Sequence, residues 1–309
     1  MPIQHPKPFH ENFLPVVDGH AVYYAEYGQP RGNPVVVLHG GPGSGCSPTM
    51  LTWFDLAYDR VILFDQRGAG NSTPLGELGN NRTSDLVGDV ERLRQHLGIA
   101  RWRLVGGSWG ATLALCYLGT HPKVVSGAVL RGVFLASERE IEWFFQTLQA
   151  LAPQAWDQLT FGWTASQRSD VFHTLTAMFR SRTLKDCWDA AKRWGHYEES
   201  IMHAMAGRPL PPMGSAPERW LQKYRLQAHY LSNNCFVTER YLFRQARRAK
   251  DVPTIIVHGT HDWICPPMNV TRLARFLPRA DVRWVEGGTH AASDPLIAAA
   301  LRRAIADLR

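Results

Sequence analysis

The chain has 309 residues, of which 45% are hydrophobic and 20% are charged, and its formal net charge is +7. A chain of this length and composition can bury a substantial core, which excludes an intrinsically disordered protein. Residues 1–11 contain no apolar run typical of a signal peptide, and no stretch approaches the roughly 20 apolar residues that cross a bilayer, so we expect a soluble, cytoplasmic protein without a membrane partner.

The first third of the chain alternates short apolar runs with turn residues. Residues 21–27, 35–38 and 60–64 are predicted strands. Residues 85–97 place leucine and valine at helical spacing and are a predicted helix, and residues 101–105 are the next predicted strand. A strand, a helix and a further strand in succession indicate a parallel sheet flanked by helices.

The pattern changes after residue 132. Residues 109–118 and 126–130 still predict a helix and a strand. From residue 133 to residue 246 we find no convincing strand, only helical stretches that are rich in aromatic residues and broken by proline and glycine. Six of the eleven tryptophans lie in this segment, where they either line a pocket or pack between helices.

The alternating pattern resumes near residue 254. Residues 254–257 and 281–285 are predicted strands, and residues 269–276 and 295–308 are predicted helices. The simplest architecture is an α/β fold with a mostly parallel sheet, interrupted by an inserted helical cap. The predicted division is an α/β core of residues 1–132 and 247–309 and a cap of residues 133–246.

The cysteines and the basic residues exclude further classes of site. The five cysteines are scattered, odd in number and without a C-x-x-C pair, which argues against a disulfide framework or a structural zinc site and agrees with a cytoplasmic protein. The densest basic run, residues 244–250, has helical spacing and is best explained as a solvated helix face. We therefore expect no nucleic-acid partner.

A five-residue motif, G-G-S-W-G at residues 106–110, follows a predicted strand and precedes a predicted helix. The G-x-S-x-G pattern in this position is typical of the nucleophile turn of the α/β-hydrolase fold. The turn needs residues without bulk at Gly106 and Gly110, so that the serine hydroxyl projects above the sheet. We therefore predict Ser108 as a nucleophile; the alternative is a serine that only caps a helix.

A serine hydroxyl becomes a strong nucleophile only when a histidine, oriented by an acid, accepts its proton. In this fold the acid and then the histidine follow the serine in the chain. Asp262 and His290 each lie just beyond a predicted strand, on the same edge of the sheet as Ser108. We therefore predict a Ser108–His290–Asp262 triad. The alternative histidines and acids are His258, His261, Asp281 and Asp294.

A second glycine-rich cluster, H-G-G-P-G-S-G at residues 39–45, follows another predicted strand. No Gly-Lys-Ser/Thr follows it, and its spacing does not match G-x-G-x-x-G, so we exclude a nucleotide-binding loop. In an α/β hydrolase this position supplies a backbone N–H that holds the oxyanion of the reaction. We assign that role to Gly41, together with the N–H of Trp109; the alternative is a plain tight turn.

Three segments together resemble the proline iminopeptidases, the prolyl aminopeptidases of the α/β-hydrolase superfamily: residues 39–45, 65–74 and 106–110. Residues 65–74, D-Q-R-G-A-G-N-S-T-P, are the most discriminating, because G-x-S-x-G alone occurs in many unrelated hydrolases. The resemblance extends over nearly the whole chain. It implies a serine exopeptidase that releases N-terminal proline from small peptides through an acyl-enzyme, without a metal or an organic cofactor.

The resemblance also implies a set of substrate-binding residues. Arg131 and Phe134 match the segment that begins the cap, with Phe134 on the pocket for the proline ring. Cys265 matches a cysteine of that pocket, and Glu198 matches a glutamate that holds the substrate ammonium. The family commonly has a second glutamate where this chain has Gln227, and because a glutamine brings no charge, we expect weaker recognition of the amine.

Two other functions stay open at this level. The first is an esterase, lactonase or amidase that acts on an uncharged small molecule, which Gln227 favours. The second is a ligand-binding protein that keeps the fold without catalysis, although the complete triad argues against it. For Glu198, the alternative to ammonium binding is an ordinary exposed carboxylate on a helix of the cap. The sequence indicates no particular oligomeric state.

Overall fold

The computed structural model describes residues 6–15, 17–212, 214 and 216–309. Its strands are β1 (His10–Phe13), β2 (Tyr23–Gly28), β3 (Asn33–Leu38), β4 (Asp59–Phe64), β5 (Trp102–Gly107), β6 (Val125–Arg131), β7 (Thr254–Gly259) and β8 (Asp281–Val285). They form one sheet with the order β1-β2-β4-β3-β5-β6-β7-β8. β2 pairs antiparallel with β1 and β4, and all other neighbours are parallel.

Helices connect and flank these strands. They are α1 (Thr83–His96), α2 (Trp109–Thr120), α3 (Glu138–Phe145), α4 (Pro153–Leu159), α5 (Ala165–Ser169), α6 (Val171–Phe179), α7 (Leu184–Met205), α8 (Arg219–Ser232), α9 (Glu239–Arg248), α10 (Met268–Ala274) and α11 (Pro295–Asp307). Short 3-10 turns lie at Pro48–Trp53, Pro122–Val124, Thr147–Ala150 and Asn234–Phe236. Within the described part of the chain, no helix is both long and apolar enough to cross a membrane.

The structure confirms the predicted α/β fold with a mostly parallel sheet. β5 and β7 are buried over nearly their whole length, which is typical of strands that helices cover on both faces. The prediction lacks β1, because all four residues of that strand are exposed and no buried alternation marks them.

The segment between β6 and β7 contains α3 to α9, and no strand occurs among its described residues. α7 packs against α8. Gly195 permits this close approach, since a Cβ at that position would lie 2.2 Å from Cε3 of Trp220. α9 packs against α2, a helix that lies directly on the sheet. The division into a core and a cap at residues 133 and 246 stays a prediction.

The side chain of Gln66 joins segments that are far apart in the chain. Gln66 Nε2 donates to the carbonyl oxygen of His39 at 2.9 Å, and the indole N–H of Trp109 donates to Gln66 Oε1 at 2.8 Å. The backbone N–H of Gln66 also donates to Nε2 of His39 at 3.0 Å. All three residues are buried. One amide therefore ties the loop after β3 to the first residue of α2.

The residues on either side of Gln66 anchor the same region. The buried carboxylate of Asp65 accepts two backbone N–H bonds, at 2.6 and 2.9 Å. Arg67 donates to both carboxylate oxygens of Asp89 on α1, at 2.6 and 2.8 Å, and both side chains are buried. Paired bonds of this kind are strong and directional. The segment 65–74 is therefore a structural support for the loops around the nucleophile turn.

We expect Gln66→Leu to lower the free energy of unfolding by about 2–4 kcal/mol, because the buried His39 carbonyl and Trp109 N–H lose their partners at about 1–3 kcal/mol each. Urea unfolding measures the change. Gln29→Leu, in an exposed turn, is the matched control and should change the free energy of unfolding by less than about 0.5 kcal/mol. Equal losses for both variants would contradict the bridging role of Gln66.

Candidate active site

Ser108 lies on the turn between β5 and α2, with φ 57° and ψ −123°. Residues other than glycine rarely adopt a positive φ, and the conformation costs on the order of 1–3 kcal/mol. Neighbouring backbone holds the turn in place: the Ser108 N–H donates to the Arg131 carbonyl at 2.8 Å, and the Ser108 carbonyl accepts from Ala111 at 2.9 Å. The structure thus places Ser108 on a strained strand-to-helix turn, where the sequence motif predicts it.

Gly110 allows α2 to start close to β3. A Cβ at Gly110 would lie 1.9 Å from the carbonyl oxygen of Leu38, far inside van der Waals contact. The glycine therefore brings the amino end of α2 beside the loop that follows β3. The backbone N–H groups of both segments can then face the same point near Ser108.

His290 and Asp262 form a buried pair. His290 Nδ1 lies 2.8 Å from Asp262 Oδ2, and Asp262 Oδ1 accepts the backbone N–H of Cys265 at 2.8 Å. Burial by itself would raise the pKa of the Asp262 carboxyl, but the neighbouring His290 outweighs burial and holds that pKa below its ordinary value. The ionised carboxylate keeps a proton on Nδ1 of His290, which leaves Nε2 free to accept one.

The two alternative histidines are placed differently. His258 is buried at the end of β7, with Nε2 2.9 Å from the Cys265 carbonyl and 3.8 Å from Asp262 Oδ2. Burial lowers the pKa of His258, so its ring is neutral. His261 is exposed, and its ring contacts a neighbouring threonine hydroxyl. Neither ring belongs to the cavity wall that contains Ser108.

The two alternative acids have structural partners of their own. Asp281, at the start of β8, pairs with Arg283 at 2.7 Å. Asp294 caps α11 by accepting the N–H of Leu296 at 2.8 Å, and it accepts a further N–H from Thr289 at 2.9 Å. These are ordinary surface-pair and helix-cap roles.

A cavity of about 250 Å³ lies at the carboxyl end of the sheet. Eight residues singled out from the sequence line it: Gly41, Ser108, Arg131, Phe134, Glu198, Gln227, Cys265 and His290. The other two, Trp109 and Asp262, are buried directly behind Ser108 and His290. The rest of the wall is mainly apolar: Met50, Ile141, Phe144, Phe145, Trp194, Met202, Leu231 and Ile264.

Two backbone segments lie beside Ser108 at the cavity. A Cβ at Gly40 would lie 3.4 Å from the Cβ of Ser108, so the loop that carries Gly41 passes directly over the serine. Trp109 is the first residue of α2, where the N–H has no acceptor within the helix. Donors at the amino end of a helix stabilise a developing negative charge.

Two charged side chains of the cavity wall are held by the protein itself. Arg131 donates from Nη1 to the carbonyl oxygen of His290 and so supports the loop that carries this histidine. Glu140, on α3, accepts the N–H and the hydroxyl of Ser137 at 3.0 and 2.8 Å. Burial raises the pKa of Glu140. Glu140 was not predicted as a site residue, although the S-x-x-E spacing from Ser137 indicates the start of a helix.

Cys265 and Phe134 contribute apolar surface close to the serine. The Cys265 thiol neighbours the Ser108 hydroxyl. Burial raises the pKa of this thiol well above its ordinary value, so it is protonated and packs as a small apolar group. Phe134 is half-buried and lines the same cavity with Ile141 and Phe144. This wall suits a compact apolar ring.

Glu198, on α7, lines the cavity and is paired within the protein. Its Oε1 accepts a bond from Nζ of Lys223 on α8 at 2.7 Å. Burial by itself would lower the pKa of Lys223, but Glu198 outweighs burial and raises it, so the amine is charged. Lys223 was not predicted from the sequence. Its spacing of one helical turn from Gln227 could have indicated that both side chains share a helix face, but its pairing with Glu198 depends on how α7 packs on α8.

The arrangement combines a serine on a strained turn, a histidine held by a buried carboxylate, and backbone N–H donors. These are the groups that acyl transfer through a serine requires. Among the residues that the structure describes, no three His, Cys, Asp or Glu side chains are placed to hold a metal ion.

Comparison with known proteins agrees with the observed fold. The chain matches the family model of the alpha/beta hydrolase fold over residues 33–294. It is 40% identical to the proline iminopeptidase of Xylella fastidiosa (strain 9a5c) over 290 residues, which cover 93% of each chain. The proline iminopeptidase of Arabidopsis thaliana is 36% identical, over 96% of this chain and 78% of that one. The proline iminopeptidase of Neisseria gonorrhoeae is 34% identical, over 98% of this chain and 97% of that one.

Solved structures of low identity share the fold. A proline iminopeptidase-related protein from Thermus thermophilus superposes with a TM-score of 0.63 at 21% identity, over 97% of this chain and 98% of that one. VinJ superposes with a TM-score of 0.67 at 18% identity and the same coverage. The fold, the family model and the sequence identity of up to 40% over nearly the whole length lead to one conclusion: the chain belongs to the proline iminopeptidase family of the α/β hydrolases.

Proposed function

We propose that the protein is a serine exopeptidase that releases N-terminal proline from peptides through a Ser108–His290–Asp262 triad. One observation carries the proposal: Ser108, on its strained turn, shares a small cavity with a histidine whose other ring nitrogen is bonded to a buried carboxylate. The related proline iminopeptidases, 34–40% identical to this chain, supply the substrate class.

The proposed reaction uses groups that the protein already orients. Ser108 Oγ attacks the carbonyl carbon of the terminal proline while His290 Nε2 takes the hydroxyl proton. Asp262 stabilises the imidazolium, and the N–H groups of Gly41 and Trp109 hold the tetrahedral oxyanion. The imidazolium then protonates the leaving amine. A water molecule, deprotonated by the same histidine, hydrolyses the acyl-enzyme and releases proline.

The size and surface of the cavity support a small cyclic acyl group. A cavity of about 250 Å³ has room for a compact ring. Phe134, Ile141 and Phe144 offer apolar surface to the ring, and the protonated Cys265 thiol adds a small apolar contact.

A second candidate function is favoured by the pairing of Glu198. Of the carboxylates in the cavity wall, Glu140 is bonded to the turn before α3 and Glu198 is bonded to Lys223. Gln227 adds no charge. An esterase, lactonase or amidase for an uncharged small molecule would need no counter-charge at this point. Turnover of substrates that lack a free amine separates the two candidates.

We further propose peptides as the physiological substrates and the cytoplasm as the location. The small cavity supports an enzyme that takes one terminal residue of a peptide. The odd number and scattered spacing of the five cysteines support a reducing compartment, because proteins of oxidising compartments commonly carry paired cysteines.

We expect Ser108→Ala to lower kcat for prolyl 4-nitroanilide by at least about 10³-fold, because triad members act as a unit. Circular dichroism should show an intact fold, and a fluorophosphonate probe should label the parent protein only. Ser166→Ala, at an exposed serine, is the matched control and should keep the parent rate. Comparable rates for Ser108→Ala and the parent protein would overturn the triad.

We expect Asp262→Asn to lower kcat by roughly 10⁴-fold, because an amide no longer selects the tautomer of His290 with its proton on Nδ1. Steady-state kinetics with prolyl 4-nitroanilide measures the loss. Asp281→Asn removes the alternative acid on the surface and should leave kcat unchanged. If Asp281→Asn produced the larger loss, the assignment of the acid would be wrong.

We expect Gln227→Glu to lower KM for prolyl 4-nitroanilide by about three- to tenfold, because a carboxylate adds a negative charge opposite the substrate ammonium that the amide of Gln227 does not have. The cyclopentanecarbonyl analogue, which has no amine, should keep its KM and serves as the internal control. An unchanged or higher KM for the prolyl substrate would count against Gln227 as a contact of the amine.

A further inference from the structure

The wall of the cavity contains a lysine–glutamate pair that the proposed reaction does not use. Glu198 is half-buried and reaches the cavity, and Nζ of Lys223 lies 2.7 Å from its Oε1. Lys223 also donates to the hydroxyl of Tyr224 at 3.1 Å. A second, larger cavity is lined by both Lys223 and Glu198. The Glu198 carboxylate therefore lines the reaction cavity while it is paired with the ammonium of Lys223.

The other carboxylate of the cavity wall gives no free negative charge. Glu140 accepts hydrogen bonds from Ser137 and also one from Asn269 at 2.5 Å. Its oxygens are therefore used to hold the start of α3. An ammonium that enters the cavity finds Glu198 as its nearest available counter-charge, and Lys223 competes for that carboxylate.

An unused acceptor lies next to this pair. Oε1 of Gln227 is buried and has no hydrogen-bond partner among the described residues. Gln227 lies four residues after Lys223 on α8, so both side chains project from the same face of that helix. A buried acceptor without a partner is energetically unfavourable, and a donor from a ligand would satisfy it. The acceptor carries no charge, so an uncharged N–H can also satisfy it.

We infer that Lys223 determines the charge selectivity of the cavity: it neutralises Glu198, so that the cavity accepts acyl groups with an uncharged hydrogen-bond donor nearly as readily as acyl groups with an ammonium. The inference rests on the proposed function for the identity of the reaction and extends it to the substrate class. In this enzyme the amides of small rings with a neutral N–H are substrates beside the prolyl amides. Lys223 is a specificity-determining residue and does not touch the reacting bond.

The test measures binding without turnover, in a Ser108→Ala background. Calorimetry compares prolinamide, which carries an ammonium, with pyroglutamamide, whose ring N–H is uncharged, and with cyclopentanecarboxamide, which has no ring donor. With Lys223 present, we expect similar dissociation constants for the first two ligands and weaker binding of the third. Lys223→Met should tighten prolinamide binding by about tenfold, which corresponds to ~1.4 kcal/mol, and should leave the other two ligands within about twofold.

Matched variants separate a local pairing effect from a general charge effect. Arg225→Met removes a positive charge from the exposed side of α8 and should leave all three dissociation constants unchanged. Lys223→Arg keeps the charge and should keep the parent selectivity. Lys223→Gln is the second neutral variant, to be used if the methionine variant does not fold. Circular dichroism checks that each neutral variant folds, and a variant that folds is compared with the parent protein.

Two results would overturn the inference. The first is that the protein with Lys223 binds prolinamide more than tenfold more tightly than pyroglutamamide. The second is that the ratio of these two dissociation constants stays the same in the neutral Lys223 variants. Failure of the proposed function looks different. In that case the enzyme with Ser108 would not hydrolyse prolyl 4-nitroanilide, while the binding ratios would still change with Lys223. Hydrolysis of that substrate with an unchanged ratio would contradict only the role of Lys223.

Discussion

The amide of Gln66 is the contact on which the geometry of the proposed active site depends. It accepts from the indole of Trp109 and donates to the backbone of His39, and so it sets the distance between the first turn of α2 and the loop after β3. In the proposed reaction each of these segments supplies one backbone N–H to the oxyanion. Stabilisation of an oxyanion requires donors placed to within a few tenths of an ångström, and a buried amide that is hydrogen-bonded through both its oxygen and its nitrogen is a rigid spacer for that purpose.

The sequence was sufficient for the elements that carry periodic signals. The central strands are short buried segments rich in apolar residues, and the G-x-S-x-G turn between a strand and a helix leaves few alternatives for Ser108. Asp262 and His290 could be selected from chain order, because both follow strands of the same sheet. The short strand β1 could not be predicted, since its exposed residues contain no buried alternation.

Contacts between helices of the segment from α3 to α9 lay beyond the sequence pattern. Lys223 has helical spacing to Gln227, which is visible in the sequence, but its pairing with Glu198 requires the closeness of α7 to α8 that Gly195 permits. The position of Glu140 beside the cavity could not be predicted from the sequence either. A local pattern indicates that its carboxylate starts a helix, but only the packed structure shows that this helix end borders the reaction cavity.

The positive φ of Ser108 has a consequence for how the protein tolerates change. Glycine adopts this conformation without strain, so Ser108→Gly would relax the turn while removing the hydroxyl of the proposed nucleophile. In the proposed mechanism, thermodynamic stability and chemical activity therefore favour opposite residues at this position. A library selected only for resistance to heat or proteolysis would then accumulate glycine at residue 108, and a redesign of this scaffold for activity must keep serine there.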